Sequence, residues 1–440
     1  MNFDEAVGFY HSLTRFGVQP GLERIKALCA ELGDPQKKLK CVHVAGTNGK
    51  GSTCTIIASV LSTAGYDVGL YTSPYVIEFR ERIRLNGDFI PKDALCRVTE
   101  RVSEALKAVN ARGVFPTEFE AVTAAAFLFY AQSGCDIAVL ETGLGGRFDA
   151  TNIIDAPIAS VITSVSLDHT AVLGDTVGKI AWEKAGIIKN NRTVITSVRQ
   201  PREALEVIEK CAAENGSELI TVDDAKMFDT VSETLFGSDV IYRGNKLHIP
   251  FGGAHQRENM SLCIACFDVL RKKGFEISDE AVQNGTANAF IPARTEIMCR
   301  APLVILDGSH NVSSTAALAA LLKECLPDRK AVAVMGMMAD KDCSSSLDSL
   351  LPCFSHVFAA TPSNPRSMDA EAFVDLVRRK GCECTAVNDP CRAVDAAFEH
   401  AAATGDTVVV CGSLYLAADV REHMKKEINR RFGSDADAVQ

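Results

Sequence analysis

Short β-branched runs alternate with helical patterns along most of the chain. In the first half, runs typical of strands cover residues 41–46, 67–73, 136–143 and 158–166. Helical patterns lie at residues 53–65 and 119–134, and a glycine ends the second of them. Strands that alternate with helices in this way predict a mainly parallel sheet covered by helices.

A second alternation of strands and helices begins near residue 300. Its strand patterns are LVILDGS, AVAVMGM, HVFAATP and TVVVCGS, and residues 314–326 have a helical pattern. Between the two alternations, residues 218–250 are polar, alternating and broken by glycine, which predicts a small β-meander. The chain is therefore expected to be an α/β protein with two domains, 1–294 and 295–440, although no low-complexity linker separates them.

Composition and charge narrow the classes of function. The 440 residues include 47% hydrophobic residues and carry a formal net charge of −10, without a basic cluster. A sequence-independent nucleic-acid binder needs a dense Lys/Arg surface, so nucleic acid is not an expected partner. The N-terminus lacks a signal pattern, and no window approaches the roughly 20 apolar residues of a membrane span. A cytoplasmic monomer without a membrane partner is expected.

The 16 cysteines are scattered without framework spacing. Cys263 and Cys266 form a CxxC pair, and Cys382 and Cys384 form a CxC pair. Neither pair is joined by a second pair or by histidines at ligand spacing, as a zinc site requires. The pattern favours free thiols buried as small apolar groups over a metal or redox site.

The first candidate for chemistry is HVAGTNGKGS at residues 43–52, between a predicted strand and a predicted helix. Glycines let backbone amides approach phosphate oxygens, the helix N-terminus adds partial positive charge, and Lys50 can reach the outer phosphates. Gly51 follows the lysine where a serine or threonine is usual, so the common hydroxyl ligand of magnesium is missing. The alternative interpretation is a glycine-rich turn without a ligand.

A second candidate is VLETGLGGRFDATN at residues 139–152. Glu141 ends a predicted buried strand, and a glycine-rich loop with Arg147 and Asp149 follows it. A carboxylate at the carboxyl end of a parallel strand lies where ligands bind in open α/β sheets, and it can hold Mg²⁺ or a water of its shell. Alternatively, Glu141 caps the next turn.

The third candidate segment covers residues 166–189. Asp168 and His169 are interpreted as the end of an apolar strand, and Glu183 and Lys184 as the middle of a helix. By residue type alone, His169 is a satisfied polar residue and the Glu183–Lys184 pair is a solvated helix face. These residues gain significance only from their order with the other motifs.

That order resembles the folylpolyglutamate synthase/dihydrofolate synthase branch of the Mur ligase superfamily. The motifs span nearly the whole chain and are GTNGKGS, TSPYVIEFRERI, ETGLGGRFDATN, DHTAVLGDT, EKAGIIK, HQRENM, PARTE, LDGSHN, SNPRSM and GSLYLAADVR. The resemblance implies a P-loop three-layer ATPase domain, followed by a smaller Rossmann-like domain that acts on glutamate, with the active site between them.

The resemblance also assigns residues to ATP and magnesium. The phosphates would be cradled by Asn48, Gly49, Lys50 and Gly51, and the rest of the nucleotide would be contacted by Asn259 near the adenine, Arg294, and Asp307 near the ribose. Magnesium would be held by Ser73, Glu141 and His169, with the Ser73 hydroxyl replacing the one missing after Lys50. Lys184 would be the carbamylated lysine of the superfamily, so that it counts as both a catalytic residue and a metal ligand.

For the other substrates, the resemblance implies two further groups of residues. The pterin-bearing substrate would contact Gly21, Leu22, Thr117, Phe148, Asp149 and Ala150. The incoming glutamate would be bound by His310, Arg366 and Ser413, with His310 also in the catalytic set beside Lys50 and Lys184. Arg366 suits a carboxylate because its planar fork pairs both oxygens, and the less favoured alternative is a loop arginine in an Asn-Pro turn. Phe148, Ser309 and Ala293 depart from the commoner leucine, alanine and glycine.

The implied function is an ATP-dependent ligase that adds L-glutamate to a folate through an acyl phosphate. Both acceptors remain open, tetrahydrofolates and dihydropteroate. One alternative is a Mur-type cell-wall ligase, but the phosphate loop starts by residue 46 and leaves no obvious extra domain for a UDP-sugar. Another is a nucleotide-dependent switch without ligase activity, which does not account for Glu141, His169 and Lys184 together.

Overall fold

An eight-stranded sheet forms the centre of the first unit of the protein, in a computed structural model that describes residues 1–13, 21–327 and 330–433. The unit comprises Met1–Asp229, Tyr242–Leu247 and Arg257–Ala289. Its strands are β1 (Cys41–Ala45), β2 (Val68–Tyr71), β3 (Ile83–Leu85), β4 (Asp88–Phe89), β5 (Ile137–Glu141), β6 (Ala159–Ile162), β7 (Thr193–Ser197) and β8 (Glu218–Val222). They are ordered β4-β3-β2-β5-β1-β6-β7-β8, antiparallel from β4 to β2 and parallel from there on.

Helices cover this sheet, and the four central strands β5, β1, β6 and β7 are buried along their whole length. The helices are α1 (Phe3–Ser12), α2 (Glu23–Glu31), α3 (Lys50–Thr63), α4 (Lys92–Asn110), α5 (Glu118–Ser133), α6 (Thr170–Leu173), α7 (Val177–Lys184), α8 (Arg202–Glu214), α9 (Asp224–Met227), α10 (Ala254–Lys272) and α11 (Asp279–Ala287). One apolar cluster joins α2, α4 and α5 to the sheet, and another joins α7 and α8 to it. The predicted parallel sheet between helices is confirmed.

The second unit comprises Thr230–Ile241, His248–Gln256 and Phe290–Gln440, of which the last seven residues and 328–329 lie outside the described part. Its six strands are β12 (Glu296–Arg300), β13 (Leu303–Leu306), β14 (Ala331–Met335), β15 (Phe354–Ala359), β16 (Cys384–Ala386) and β17 (Thr407–Cys411), ordered β12-β13-β17-β14-β15-β16. Only the β12–β13 pair is antiparallel among them. The helices are α12 (Val312–Cys325), α13 (Cys343–Leu350), α14 (Ala370–Arg379), α15 (Pro390–Thr404) and α16 (Leu414–Phe432).

Three sequence-based interpretations need correction. The predicted meander starts later than residue 218, because Glu218–Val222 is β8 of the large sheet and only β9 (Asp229–Thr234), β10 (Gly237–Tyr242) and β11 (Asn245–Ile249) form the small sheet. His169 does not end a strand: β6 stops at Ile162, and His169 is the N-cap of α6. Lys184 is the last residue of α7 and is 3% exposed, so it lies neither in mid-helix nor on a solvated face.

All 16 cysteines are free thiols, and none is fully exposed, in line with the prediction of unpaired apolar thiols. Cys263 and Cys266 lie buried in α10. The division at residue 294 stays a prediction. In the described ranges, every helix is too short or too polar to cross a lipid bilayer.

Candidate active site

The phosphate loop connects β1 to α3 and can accept only glycine at two positions. A Cβ at Gly46 would lie 1.7 Å from Thr163 Oγ1, and a Cβ at Gly49 would lie 2.3 Å from Asn259 Oδ1. Gly49 also has a φ of +85°, which L side chains rarely adopt. In the described chain, no side chain caps the N-terminus of α3, so its first amides face the loop.

The loop is anchored by the end of β6. Thr163 Oγ1 donates to Asn48 O at 2.7 Å, and Ser164 O accepts from Thr47 N at 2.7 Å. Asn259, on α10, lies with its amide against Gly49, so the predicted nucleotide residues Asn48, Gly49 and Asn259 are brought together. The loop is therefore held by hydrogen bonds from the end of β6.

Lys50 and Lys184 meet at one carbonyl oxygen of this loop. Lys50 Nζ donates to Gly46 O and to Thr47 O, each at 3.1 Å. Lys184 Nζ, from the far end of α7, donates to the same Gly46 O at 2.8 Å. Two lysines that share one acceptor bring two like charges together in a largely buried place.

The pKa of Lys184 is lowered to about 7 in this environment. Burial is the largest cause and the charge of Lys50 is the second, while Asp168, Asp149 and Glu183 act in the opposite direction. A lysine with its ordinary pKa would have roughly one neutral amine in three thousand at pH 7. Lys184 therefore holds a large neutral fraction near neutral pH, and a neutral amine is a nucleophile.

Glu141 and Ser73 lie beside the phosphate loop. Glu141 ends β5 and is 4% exposed, and its Oε2 accepts from Ser73 N at 3.0 Å. The same carboxylate would be 3.8 Å from a Cβ at Gly51. His169, at a φ of +50°, lies with its Nε2 3.9 Å from Asp168 Oδ1. The negative charge of Asp168 acts against the lowering of the Lys184 pKa.

Asp149 organises the glycine-rich loop after Glu141. Its Oδ2 accepts from Gly143 N and Leu144 N, both at 2.9 Å. Its Oδ1 accepts from Thr151 N at 3.0 Å and from Thr151 Oγ1 at 2.6 Å. Burial raises the pKa of Asp149, and these hydrogen bonds counteract that effect. The carboxylate is thus fully occupied within the protein.

The elements predicted to contact the pterin-bearing substrate pack on one another. Helix α2, the start of α5 and the turn Ala150–Ile153 are in mutual contact. Thr117 caps α5, and its partner Glu120 pairs with Arg24 of α2 at 3.0 Å. Gly21 and Leu22 immediately precede α2. Phe148 stands at this loop with 45% of its surface exposed, which leaves an aromatic face for a ligand.

In the second unit, Arg294 and Asp307 lie in two turns that are joined by hydrogen bonds. Asp307 Oδ2 accepts from Thr295 N at 2.8 Å, and Gly308 N donates to Ala293 O at 2.8 Å. Ala293 has a φ of +54°, the left-handed conformation for which the commoner glycine at this position is suited. A Cβ at Gly308 would lie 2.7 Å from Arg294 Nη1.

The residues predicted for glutamate are arranged around the start of α16. Ser413 is the N-cap of α16, and its Oγ accepts from Tyr415 N at 3.0 Å. Arg366 Nη1 lies 3.2 Å from Asp340 Oδ2, and its Nη2 donates to the Tyr415 hydroxyl at 3.4 Å. His310 Nδ1 donates to Gly308 O at 2.9 Å, which fixes its tautomer. Arg366 is half exposed and is thus accessible to a small anion.

Sequence reasoning missed the residues that act on the site through others. Thr163 and its neighbours were interpreted only as a strand, although the hydroxyl that follows β6 anchors the phosphate loop. Arg147 was noticed in the glycine-rich loop without a role, and it packs on the end of α7. A polar residue immediately after a buried central strand is the signal that could have identified Thr163.

Residues 44–267 match the family model of the Mur ligase middle domain, and residues 293–414 match the model of the Mur ligase glutamate ligase domain. A Bacillus subtilis dihydrofolate synthase/folylpolyglutamate synthase is 36% identical over 431 residues, which cover 96% of this chain and 99% of the relative.

Solved structures are similar over the same length. Folylpolyglutamate synthase from Thermotoga maritima has a TM-score of 0.83 and 34% identity, and the match covers 97% of both chains. Folylpolyglutamate synthase of Mycobacterium tuberculosis, complexed with ADP and AMPPCP, has a TM-score of 0.87 and 28% identity, covering 96% of this chain and 99% of that one.

Proposed function

From the premise that the chain belongs to the Mur ligase family, in its folylpolyglutamate synthase/dihydrofolate synthase branch, we propose that it forms the new amide through an acyl phosphate assembled at the phosphate loop. It is an ATP-dependent ligase that adds L-glutamate to a folate. The observation that carries the proposal is the convergence of Lys50, Lys184 and Glu141 on the loop between β1 and α3.

The donor groups of Glu141 and Ser73 are of a kind that suits a magnesium ion. Glu141 offers a buried carboxylate and Ser73 a hydroxyl, and hard oxygen donors of this kind are what Mg²⁺ prefers. A buried carboxylate beside a phosphate loop is further stabilised by a cation. We assign the ion to Ser73, Glu141 and His169, with Lys184 as a further ligand once it is carbamylated. Bound there, Mg²⁺ would neutralise the charge that the phosphates carry into the site.

The reaction requires two anions to approach each other. The folate carboxylate oxygen attacks the γ-phosphorus of ATP, the bond to ADP breaks, and an acyl phosphate forms. The amine of glutamate then attacks the acyl carbon, inorganic phosphate leaves, and the amine loses a proton. Lys50 offsets the repulsion between carboxylate and phosphates, and the anchored loop amides orient the phosphoryl group. Exclusion of water would protect the acyl phosphate from hydrolysis.

Lys184 is proposed to act as a carbamate. An ammonium beside Lys50 and a divalent cation is electrostatically unfavourable. Addition of CO₂ to the neutral amine releases a proton and gives an anion with two oxygen donors, while the carbamate nitrogen keeps one N–H. That N–H can retain the bond to Gly46 O. The carbamate can therefore keep the contact of Lys184 with Gly46 O, and it replaces repulsion from Lys50 by attraction.

By the order of the motifs, Asn259, Arg294 and Asp307 are each proposed to contact the nucleotide. For the pterin-bearing substrate, the exposed ring of Phe148 is the most accessible of the predicted contacts. The Asp149 carboxylate is occupied by four hydrogen bonds. We therefore propose that Asp149 maintains the conformation of the loop that carries Phe148 and Ala150, rather than binding the substrate through its carboxylate.

Magnesium titration tests the metal assignment. Glu141→Gln keeps the size of the side chain and its ability to accept from Ser73 N, but it removes the charge, and His169→Ala removes a donor. Both variants are expected to need a several-fold higher magnesium concentration for half-maximal turnover, or to be inactive. Glu206→Gln, on the exposed face of α8, is the matched control. Magnesium curves for both site variants that coincide with the wild-type curve would remove these residues from the metal site.

Arg366→Ala tests the glutamate assignment. A charge-assisted fork to a carboxylate is worth about 1.5–3 kcal/mol, so the KM for glutamate should rise roughly 10- to 100-fold while that for ATP changes little. The lost pair with Asp340 is half exposed and should affect stability little. Steady-state constants for each substrate decide the matter, with Arg430→Ala, on an exposed helix face, as control. A change confined to the ATP constant would contradict the assignment.

A product assay distinguishes the remaining reactions. ATP and glutamate are supplied with either dihydropteroate or tetrahydrofolate, offered separately, and a UDP-MurNAc peptide serves as the acceptor of the cell-wall alternative. The family assignment predicts product with at least one pterin acceptor and none with the cell-wall precursor. A nucleotide switch would release no ADP in response to glutamate.

A further inference from the structure

The loop after β5 interlocks with the end of α7 by close main-chain contact. A Cβ at Gly146 would lie 2.8 Å from both Glu183 O and Lys184 O. A Cβ at Gly186 would lie 2.3 Å from Arg147 Cβ. Side chains at either glycine would therefore separate the two segments. This contact joins the loop that follows Glu141 to the helix end that carries Lys184.

Arg147 closes the contact with three interactions. Its backbone N–H donates to Glu183 O at 2.7 Å, and its Nη2 donates to Trp182 O at 3.2 Å. Its guanidinium lies 3.7 Å from the centroid of the Trp182 ring. The last carbonyls of a helix lack partners within the helix and carry partial negative charge, so a cation there is favourable. Stacking on an indole adds to this attraction.

Lys184 follows directly after Trp182 and Glu183, whose carbonyl oxygens accept hydrogen bonds from Arg147. We propose that Arg147, stacked on Trp182, is a positioning residue that fixes the end of α7 so that the Lys184 side chain reaches Gly46 O. The proposal rests on the proposed role of Lys184, and it concerns the placement of that side chain rather than its chemistry. The contacts of Arg147 are with two main-chain carbonyls and a ring at the end of α7, so it acts through geometry.

The simpler alternative is that Arg147 only stabilises the fold. A purely structural role predicts a lower melting temperature and unchanged turnover of the folded fraction. Positioning predicts that kcat falls while the KM for ATP stays constant, because the phosphate loop keeps its own anchors at Thr163 and Asn259. Misplacement by about 1 Å can cost roughly 100-fold in rate.

The experiment compares three variants of the full chain. Arg147→Ala removes the guanidinium, Arg147→Lys keeps a cation that can reach Trp182 O, and Trp182→Leu removes the stacked ring but keeps apolar bulk. Arg300→Ala is the matched control, since Arg300 stacks on Phe236 at 4.4 Å and has no part in the site. Trp182 is the single tryptophan, so its emission reports directly on the stack.

In Arg147→Ala, we expect kcat to fall roughly 10- to 100-fold with the KM for ATP within twofold, a shifted tryptophan emission and faster amide hydrogen exchange over residues 182–188. Arg147→Lys should recover part of the rate, Trp182→Leu should lose severalfold, and Arg300→Ala should match the wild type in rate and emission. Wild-type kcat in Arg147→Ala would overturn the proposal. If Arg147→Ala is insoluble, wild-type kcat in both Arg147→Lys and Trp182→Leu would overturn the proposal.

Lys184→Ala separates this proposal from the proposed role of Lys184. If Lys184→Ala is fully active, the role of Lys184 fails. If Lys184→Ala is inactive and Arg147→Ala is fully active, only the positioning role of Arg147 is refuted.

Discussion

Lys184→Ala is expected to lower turnover roughly 100- to 1000-fold, the range found when one preorganised group is removed from a charged transition state. The side chain is 3% exposed and donates to Gly46 O, so its loss leaves an opening at the phosphate loop itself. Small carboxylates such as formate or acetate should restore part of the rate, because they can supply the oxygen donors of the missing carbamate. Full recovery is not expected, since a free carboxylate must bind at an entropic cost.

Carbamylation is measured on the native enzyme, because carbamates are lost on denaturation. Wild-type protein in ¹³C-labelled bicarbonate should give a carbamate signal that is absent from Lys184→Ala. Lys189→Ala is the matched control: Lys189 is another largely buried lysine, with its pKa lowered by burial, and it donates to Asn152 O at 3.1 Å. Full activity of Lys184→Ala without any wild-type signal would reduce Lys184 to a buried structural lysine.

Lys50→Ala is expected to lower turnover by a factor similar to that expected for Lys184→Ala, while the protein still folds normally. In the structure Lys50 Nζ donates to the carbonyls of Gly46 and Thr47, so its removal breaks hydrogen bonds within its own loop. The reaction loses the cation that offsets repulsion between the phosphates and the substrate carboxylate, which is expected to cost roughly 100- to 1000-fold in kcat.

Glutamate-dependent ADP release measures the loss, and circular dichroism should be unchanged. Lys210→Ala, which removes an exposed lysine paired with Glu214 on α8, controls for the loss of a helix lysine. Lys50→Ala also removes the repulsion that lowers the pKa of Lys184, so its carbamate signal should be recorded as well. Normal turnover in Lys50→Ala would refute the role of this lysine in phosphate binding.

The fold was accessible from the sequence because buried parallel strands produce an unmistakable pattern. Residues 136–143 were predicted as a strand, and β5 covers Ile137–Glu141. The sequence-based assignment of strands was wrong where the local pattern of polar and apolar residues did not reveal which sheet a strand joins. Glu218–Val222 is half exposed and alternating like a meander strand, yet it pairs with β7 at the edge of the large sheet.

The chemistry of Lys184 could not be derived from its local pattern. Glu183 and Lys184 have the composition of a solvated helix face, and only the ordered motifs indicated otherwise. Lys184 is buried beside a close backbone contact at Gly146 and Gly186, and the segments that meet there are almost forty residues apart in sequence. Contacts of that separation leave no period or spacing from which to infer them.

The second unit is formed by three separate stretches of the chain, and this has a consequence for folding during synthesis on the ribosome. Thr230–Ile241 and His248–Gln256 belong to that unit, and Leu235 packs in its core with Ile297 and Leu318. These segments leave the exit tunnel before the strands they must cover exist, because β12 begins at Glu296 and the central strand β17 only at Thr407. Until then Leu235 lacks its core partners Ile297 and Leu318, and an exposed apolar side chain of this kind makes a partly synthesised chain prone to aggregation. Slow codons or a pause within residues 250–400 would lengthen that exposure, so the yield of folded protein should be sensitive to translation rate in that interval.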